Sequence, residues 1–584
     1  MKVQKTRARQ GRTLSHGEFE AWETVEKCAV GCRHPSGEQV IRRATMLAEE
    51  FPPRRVVGYD VIVFVGIKRY LGHWQREEIR SALETEYGIT LSSGEVSNLE
   101  RLFLDYLLRL HKAHIKELRA VIDSDGGSPW HIDATGEDGR GTLFVVLAGW
   151  RRWVLGAWKL PTERADAILP CLCEVAIDFG APCAIVRDLG HAMSHAVVDF
   201  LAEEELEIPV LACHAHFLKD IGSDLLKPSH DALRDAFRKL KVRPQLRKLA
   251  RDLGRKLGSE VEGVRREMKA WLEEEVKDRT LPKGSAGIGA VRSIAQWVLD
   301  YQADSSGDDF PFDRPYHDLY IRCTLALKGV DGFLESPPAE EGVLKVLKRL
   351  RNILAPVESD LPLRQHSRYI TERAGIFDEL RSALRLTPSK SKVNPPESAI
   401  TTEELSDIRK QVETLILSLK SRRDTSITNS DIHKAISIII RHIDKHGSSL
   451  WGHEIALPSG ETRLADRTNN YAEGFFRDLK HDERRRSGRK VLTQDFESLP
   501  PEAALARNLR REDYLKIVCG SIDQLHKSFS QLDATDRSER LSGVRSVKIP
   551  QRTVEISSAS LPTPDRRLVR AAGMKQRLQA AAQV

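Results

Sequence analysis

Residues 130–136, WHIDATG, open a run that continues as GTLFVVLAGW (Gly141–Trp150) and RRWVLGAWKL (Arg151–Leu160). Short stretches rich in β-branched and aromatic residues, interrupted by Gly, predict three consecutive strands of a meander. Outward from them, Thr162–Phe179 predicts a helix with Thr162 as its cap, and APCAIVRD (Ala181–Asp188) a buried strand. His191–Glu205 reads as a second helix and IPVLACH (Ile208–His214) as another short apolar strand. Upstream, Asp125-Gly126-Gly127 marks the change of texture from helices to strands.

Three strands followed by alternating helix and strand is the order of an RNase H-like α/β core. Asp133 lies in the first strand between Ile132 and Ala134, where an unpaired carboxylate is costly to bury and a metal ion would remove the cost. Asp188 ends the strand of Ala184, Ile185 and Val186, just before Leu189-Gly190 turns the chain. In that fold the first and fourth strands are neighbours, so the two aspartates are expected to face each other. Paired carboxylates holding Mg²⁺ can activate a water or a DNA 3′-hydroxyl and stabilise the leaving oxygen. The competing readings are a turn-side Asp133, with Glu137 or Asp138 as the ligand, and an Asp188 that caps the helix beginning near His191.

A late segment, TNNYAEGFFRDLKHDERRRSG (Thr468–Gly488), divides into two faces at about 100° per residue. Glu473, Arg477, Lys480 and Arg484 fall in one stripe, and Ala472, Phe475, Phe476 and Leu479 in another. One face is core and the other an acid with cations suited to phosphates. Residues 477–490 hold seven Lys or Arg against three Asp or Glu, so the modest overall charge of +7 is concentrated here. The bland alternative is a capping box, Asn470-x-x-Glu473, in which the acid only reaches back to the cap.

These segments resemble the DDE transposases of bacterial insertion sequences and their Mutator-like relatives. The resemblance rests on HIDATG around Asp133, AIVRDLG around Asp188, CHAH at Cys213–His216 and the Glu473 segment. It covers about Ser128–Asp220 and Leu464–Lys490. It implies that Asp133, Asp188 and Glu473 are catalytic and hold two Mg²⁺ ions, with Mn²⁺ able to substitute. It also implies double-stranded DNA as the partner, both element ends and target, and a homo-oligomer on that DNA. Cys213 and His216 match the family's C-x-x-H pattern, whose role as metal ligand or DNA-orienting pair stays open beside an ordinary core Cys and His. In many relatives a small residue and Gly follow the second acid directly; here Leu189 intervenes, which leaves the turn at Asp188 less determined.

The rest of the chain frames this core. QREEIRSALETEYGI (Gln75–Ile89) and a second helix from Gly94 to about Leu110, capped by Ser92 or Ser93, predict a helix-turn-helix. Ser93, Ser97 and Asn98 at its second helix are candidates to approach base edges, and Arg477, Lys480, Arg484, Arg485 and Arg486 to hold phosphates. An ordinary helical hairpin is the alternative. Cys28, Cys32 and His34 form a C-x3-C-x-H cluster with no matching second half, so a loop with incidental thiols is preferred over a zinc site.

With 584 residues the chain exceeds one hydrophobic core, and three or four structural units are expected. The expected division is a basic arm with the Cys/His element (1–50), the helix-turn-helix region (51–125) and the first part of the catalytic core (126–220). A helical insertion (221–450), broken by the polar loop Thr387–Ser398, then precedes the second part of the core (451–532) and a disordered tail (533–584). The apolar stretch Val56–Ile67 is far short of the roughly 20 residues that cross a bilayer. No secretory signal is evident, and eight scattered cysteines predict reduced thiols in a cytoplasmic, nucleoid-associated protein without a membrane partner.

Overall fold

The computed structural model describes residues 1–137, 140–258, 261–273, 280–303, 305, 307, 309–386, 401–425 and 430–543. The expected loop 387–398, Asp138 and the part of the expected tail beyond 543 lie outside them. Contacts divide the chain into two compact units. The smaller unit takes Met1–Arg9, Glu20–Arg54 and the chain from Ser530; the larger takes Gln10–Phe19 and Arg55–Phe529.

The N-terminal residues expected to form a basic arm are a strand. β1 (Lys2–Thr13), β2 (Gly17–Lys27) and β3 (Ile41–Arg42) make a three-stranded sheet in that order, followed by the short helix α1 (Thr45–Glu50). The basic run of β1 finds its complement in the acidic β2: the Arg7 guanidinium donates to Glu23 at 2.7 Å, and Glu23 is buried.

In the larger unit, α2 (Tyr59–Tyr70), α3 (Arg76–Tyr87), α4 (Ser93–Ala113) and α5 (Ile115–Ser124) precede the main sheet. Gly88 ends α3 in the left-handed conformation, at φ 64°, and Ser92 caps α4, its hydroxyl accepting from Glu95 N while Glu95 accepts from Ser92 N. The pair of helices expected from the sequence is therefore present, with Ser92 as the cap and Ser93 as the first helical residue.

The sheet contains β4 (Pro129–Glu137), β5 (Arg140–Ala148), β6 (Trp153–Leu160), β7 (Ala184–Arg187) and β8 (Val210–Ala212), in the spatial order β6-β5-β4-β7-β8. The β4–β5 and β5–β6 pairs are antiparallel, whereas β7 runs parallel to both β4 and β8, so the sheet is mixed. The helices α6 (Ala165–Phe179) and α7 (His191–Glu203) supply the crossovers on either side of β7. α6 starts later than expected: Arg164 N bonds to Thr162 O in a turn, leaving Thr162 outside the helix and Arg164 as N-cap without a side-chain cap bond.

From His214 the chain is helical. α8 (His214–Leu240), α9 (Val242–Leu257), α10 (Val261–Glu273), α11 (Gly284–Leu299) and α12 (Pro315–Glu335) are followed by α13 (Glu341–Ser359), α14 (Leu361–Ala383), α15 (Thr402–Thr425) and α16 (Ser430–His446). The expected boundary at residue 220 falls inside α8, because Phe217, Leu218, Ile221 and Leu225 continue one buried stripe. These helices share an apolar core in which Gly222 of α8 leaves room for Pro311 and for Phe377 of α14; a Cβ there would overlap the Pro311 ring and stand 3.0 Å from the Phe377 ring.

The chain then returns to the sheet. β9 (Glu454–Ala456) and β10 (Thr462–Leu464) form a small antiparallel ladder, then come α17 (Asn470–Ser487), α18 (Thr493–Ser498), a 3-10 stretch over Pro501–Arg510, α19 (Glu512–Val518) and α20 (Leu525–Ser542). Asn508 closes the edge strand β6, accepting from Val154 N at 2.7 Å and donating to Val154 O at 2.9 Å. α20 corrects the expectation of disorder from residue 533: its helix continues to Ser542, and Ser36 N bonds to Leu541 O.

Candidate functional site

β4 and β7 bring the first two acids together through their register. His131 pairs with Val186, and the same offset sets Asp133 level with Asp188, one residue past the end of β7. Neighbouring strands lie about 4.8 Å apart, so the two carboxyl groups share one end of the sheet. Asp133 is buried, its Oδ1 accepting from Ala134 N at 2.8 Å. Burial raises its carboxyl well above the ordinary 3.8, and the negative charge of Asp188 adds to this, with Glu473 and Glu163 contributing further.

Asp188 accepts from Gly190 N at 3.1 Å, and Gly190 is itself the N-cap of α7 with no side-chain cap bond. Asp188 therefore shapes the turn ahead of α7 without capping its first turn. Leu189 packs toward the helical core, while a Cβ on Gly190 would stand 3.2 Å from Asp188 Oδ1. A side chain at Gly190 would therefore crowd the Asp188 carboxylate, whereas the turn accommodates Leu189.

The third acid arrives on α17. Asn469, not Asn470, is the N-cap residue, and no capping box forms. The Glu473 side chain is free of that duty and lies half exposed, its Oε1 3.2 Å from His216 Nε2. The C-x-x-H pair thus acts on the start of α17 twice, because the buried Cys213 Sγ also accepts from Asn469 N at 3.1 Å. Burial pushes the Cys213 thiol up to about 12, so it is a neutral acceptor here.

Asn469 was not singled out in the sequence, yet it joins the two acid-bearing elements. Fully buried, it donates from Nδ2 to Ile132 O at 3.1 Å and its Oδ1 meets His131 Nδ1 at 2.8 Å, while its carbonyl accepts from Glu473 N. His131 sits beside Asp133 in β4 with its Nε2 3.4 Å from Asp466. The signal for this hub was a polar His in an otherwise apolar strand and the Thr468-Asn469-Asn470 run. Glu163, ahead of α6, is a fourth acid the sequence reading passed over; burial and the charge of Asp188 both raise its carboxyl.

No protein-family model and no curated protein matches the chain.

The expected cations divide. Arg477 and Arg484 are exposed on α17, and Arg485 pairs with Glu78 of α3 at 2.8 Å. Lys480 turns to β4, donating to Gly136 O at 2.9 Å with Glu137 at 3.5 Å, so Glu137 is engaged by a cation. Arg486 is not available to phosphate: it is buried against Glu483, with its guanidinium 5.3 Å from the Tyr70 ring centre. At 100° per residue Arg486 follows Ala472 and Leu479 onto the buried face, so the Arg484-Arg485-Arg486 block does not act as one patch.

In the helix pair, Ser93 and Asn98 are exposed and Ser97 is half-buried. Asn98 accepts from Arg101 at 2.6 Å, and Glu95 in the first turn is paired with Arg12 at 3.1 Å. Cys28 and Cys32 are free thiols that share a hydrogen bond, which pulls the Cys28 thiol down to about 7 and raises Cys32. Among the described residues no group of three or more His, Cys, Asp or Glu stands close enough to hold a metal ion as placed, which applies to His34 with that pair and equally to Asp133, Asp188 and Glu473.

The acids nevertheless suit a hard divalent cation. Carboxylate oxygens are the donors Mg²⁺ prefers, and the charge on Asp133 is disfavoured first by burial and then by Asp188 and Glu473, an imbalance that a bound cation would relieve. Asp133 and Asp188 are the residues that would hold it, with Glu473 swinging from His216 to join them.

Proposed function

We propose that this chain is a DDE-type DNA transposase with an RNase H-like catalytic core, interrupted between β8 and β9 by a helical insertion. The observation that carries the reading is the β4–β7 register, which sets Asp133 level with Asp188 at one end of the sheet, with the charge of Glu473 from a segment far along the chain also acting on Asp133. The mixed sheet order, with β4 beside β7, supports the same reading.

In the reaction proposed, water attacks a phosphorus at each element end and releases a 3′-hydroxyl. That hydroxyl then attacks a target phosphorus and displaces the target's 3′-oxygen. Divalent ions, when bound, would lower the pKa of the nucleophile and neutralise the leaving oxygen. Asp133 and Asp188 flank the reacting phosphate from adjoining strands, and Glu473 closes the third side from α17. His216 holds Glu473 in readiness, and the exposed Arg477 and Arg484 take flanking phosphates. Double-stranded DNA is the partner, a homo-oligomer is needed to process two ends, and a nucleoid location follows. No described helix is long and apolar enough to cross a membrane.

The test uses purified full-length protein, Mg²⁺ or Mn²⁺, and DNA carrying the sequences that flank the gene. Cleavage and joined products, both lost in Asp133→Asn and Glu473→Gln, are expected. Nicks without joining would make the chain a nuclease, and sequence-specific binding without cleavage in the wild type would make it a non-catalytic DNA-binding protein.

A further inference from the structure

The charged face of α9 has no role in the site. Val242, Leu246, Leu249, Ala250, Leu253 and Leu257 are buried, while Arg247, Lys248, Arg251, Arg255 and Lys256 are all exposed on the opposite side. The row Arg247, Arg251, Arg255 repeats every four residues and so runs along one side of the helix.

A basic helix face is usually a solvated surface whose charges are balanced locally. That holds elsewhere in this region, where Arg368 pairs with Glu372 on α14 and Arg409 with Glu413 on α15. On α9 it does not. The single acid of the helix, Asp252, pairs with Arg349 of α13 at 2.8 Å and also feels the charges of Lys248 and Arg255, so one carboxylate faces several cations. Among the described residues Arg247, Lys248, Arg251, Arg255 and Lys256 form no ion pair. Lys345 and Lys348 of α13 are exposed as well, and α13 packs against α9, which widens the positive surface.

We infer that the α9 face binds the phosphate backbone of duplex DNA, a second contact surface built into the helical segment. The choice of duplex rests on the transposase reading. A lipid surface is disfavoured because no large apolar side chain is exposed along α9 to enter it. The contact is to backbone charge, so it carries no sequence preference.

The experiment measures anisotropy of a labelled duplex with the full chain over a range of salt concentrations. Wild type is compared with R247Q/R251Q/R255Q and with a charge-matched control, K410Q/K420Q/K434Q, at exposed lysines of α15 and α16. Removing three phosphate contacts is expected to flatten the slope of log K against log salt by about 3, at roughly 0.9 per contact. The control is expected to leave the slope within about 1 of wild type. Equal slopes and affinities for wild type and the α9 variant would overturn the inference while leaving the acid site standing. An equal loss in the control would overturn it too, by tracing the effect to net charge. A wild type that binds no duplex at all would sink the transposase reading with it.

Discussion

Around β4, β7 and the start of α17, ionisable groups lie inside the protein: Asp133, His131, His214, His453 and the polar Asn469 are all buried. In α8–α16, beyond His214 at the start of α8, the interior is built mainly of Leu, Ile, Val and Phe, with His230, His317 and Arg322 as buried ionisable exceptions. The first arrangement costs stability, since buried like charges and partnerless imidazoles are unfavourable; both ring nitrogens of His453 lack a hydrogen bond. The second arrangement stabilises. The acids of the site region are thus held at a cost to stability, whereas the helical segment carries on α9 a row of cations without ion pairs.

The contrast is broken most strongly in the scaffold. Phe377→Ala empties a fully buried ring position against Gly222 and is expected to cost about 3–5 kcal/mol. Chemical denaturation followed by circular dichroism measures it; a loss below about 1 kcal/mol would mean the helical core is not close-packed there. Asn469→Ala should cost somewhat less, about 2–3 kcal/mol, by leaving His131 Nδ1 and Ile132 O unpaired. Unlike the Phe377 change, it should also uncouple Glu473 and depress DNA cleavage in the fraction that stays folded. A variant with wild-type cleavage per folded molecule would contradict the hub assigned to Asn469.

The buried histidines of the site region add to a pH dependence that His230 and His317 of the helical segment share, since burial takes both of those down to about 4 as well. Burial, with Arg467 adding, takes His214 down to about 4, and burial also lowers His131 and His453. In the unfolded chain these groups protonate near 6.5. Below that pH the unfolded state binds more protons than the folded state, so stability should fall as the pH drops from about 6.5 toward about 4. Urea midpoints measured across this window check it, and a flat profile would argue that the imidazoles are solvated. Asp133 works the other way, because its folded carboxyl is raised. Asp133→Asn should therefore stabilise the metal-free protein by about 1–2 kcal/mol at neutral pH. That gain should shrink as the pH approaches 3.8, the ordinary carboxyl value, and a destabilised variant would mean that Asp133 is already compensated.

Much of this was legible in the sequence for a physical reason. Strands such as GTLFVVLAGW must be buried on both faces, and an Asp inside such a run has to be accounted for. The helix stripe carrying Glu473, and the Gly88 and Ser92 boundaries, follow from local rules in the same way. What was missed depends on partners distant in sequence. The β1 cations look like a solvated arm until the acids of β2 are set against them. Arg486 looks like a phosphate ligand until Glu483 and Tyr70 enclose it. Asn469 and Asn470 are adjacent and alike in type; only the pairing with β4 and Cys213 distinguishes the hub from the first helical residue.

The most direct measurement is calorimetric titration of Mn²⁺ into the metal-free full chain and into Asp133→Asn, Asp188→Asn and Glu473→Gln. Saturable binding that disappears in both aspartate variants and weakens by roughly 10–100-fold in Glu473→Gln is the expected result. Undiminished binding in all three, or none in the wild type, would contradict a shared metal site formed by these acids.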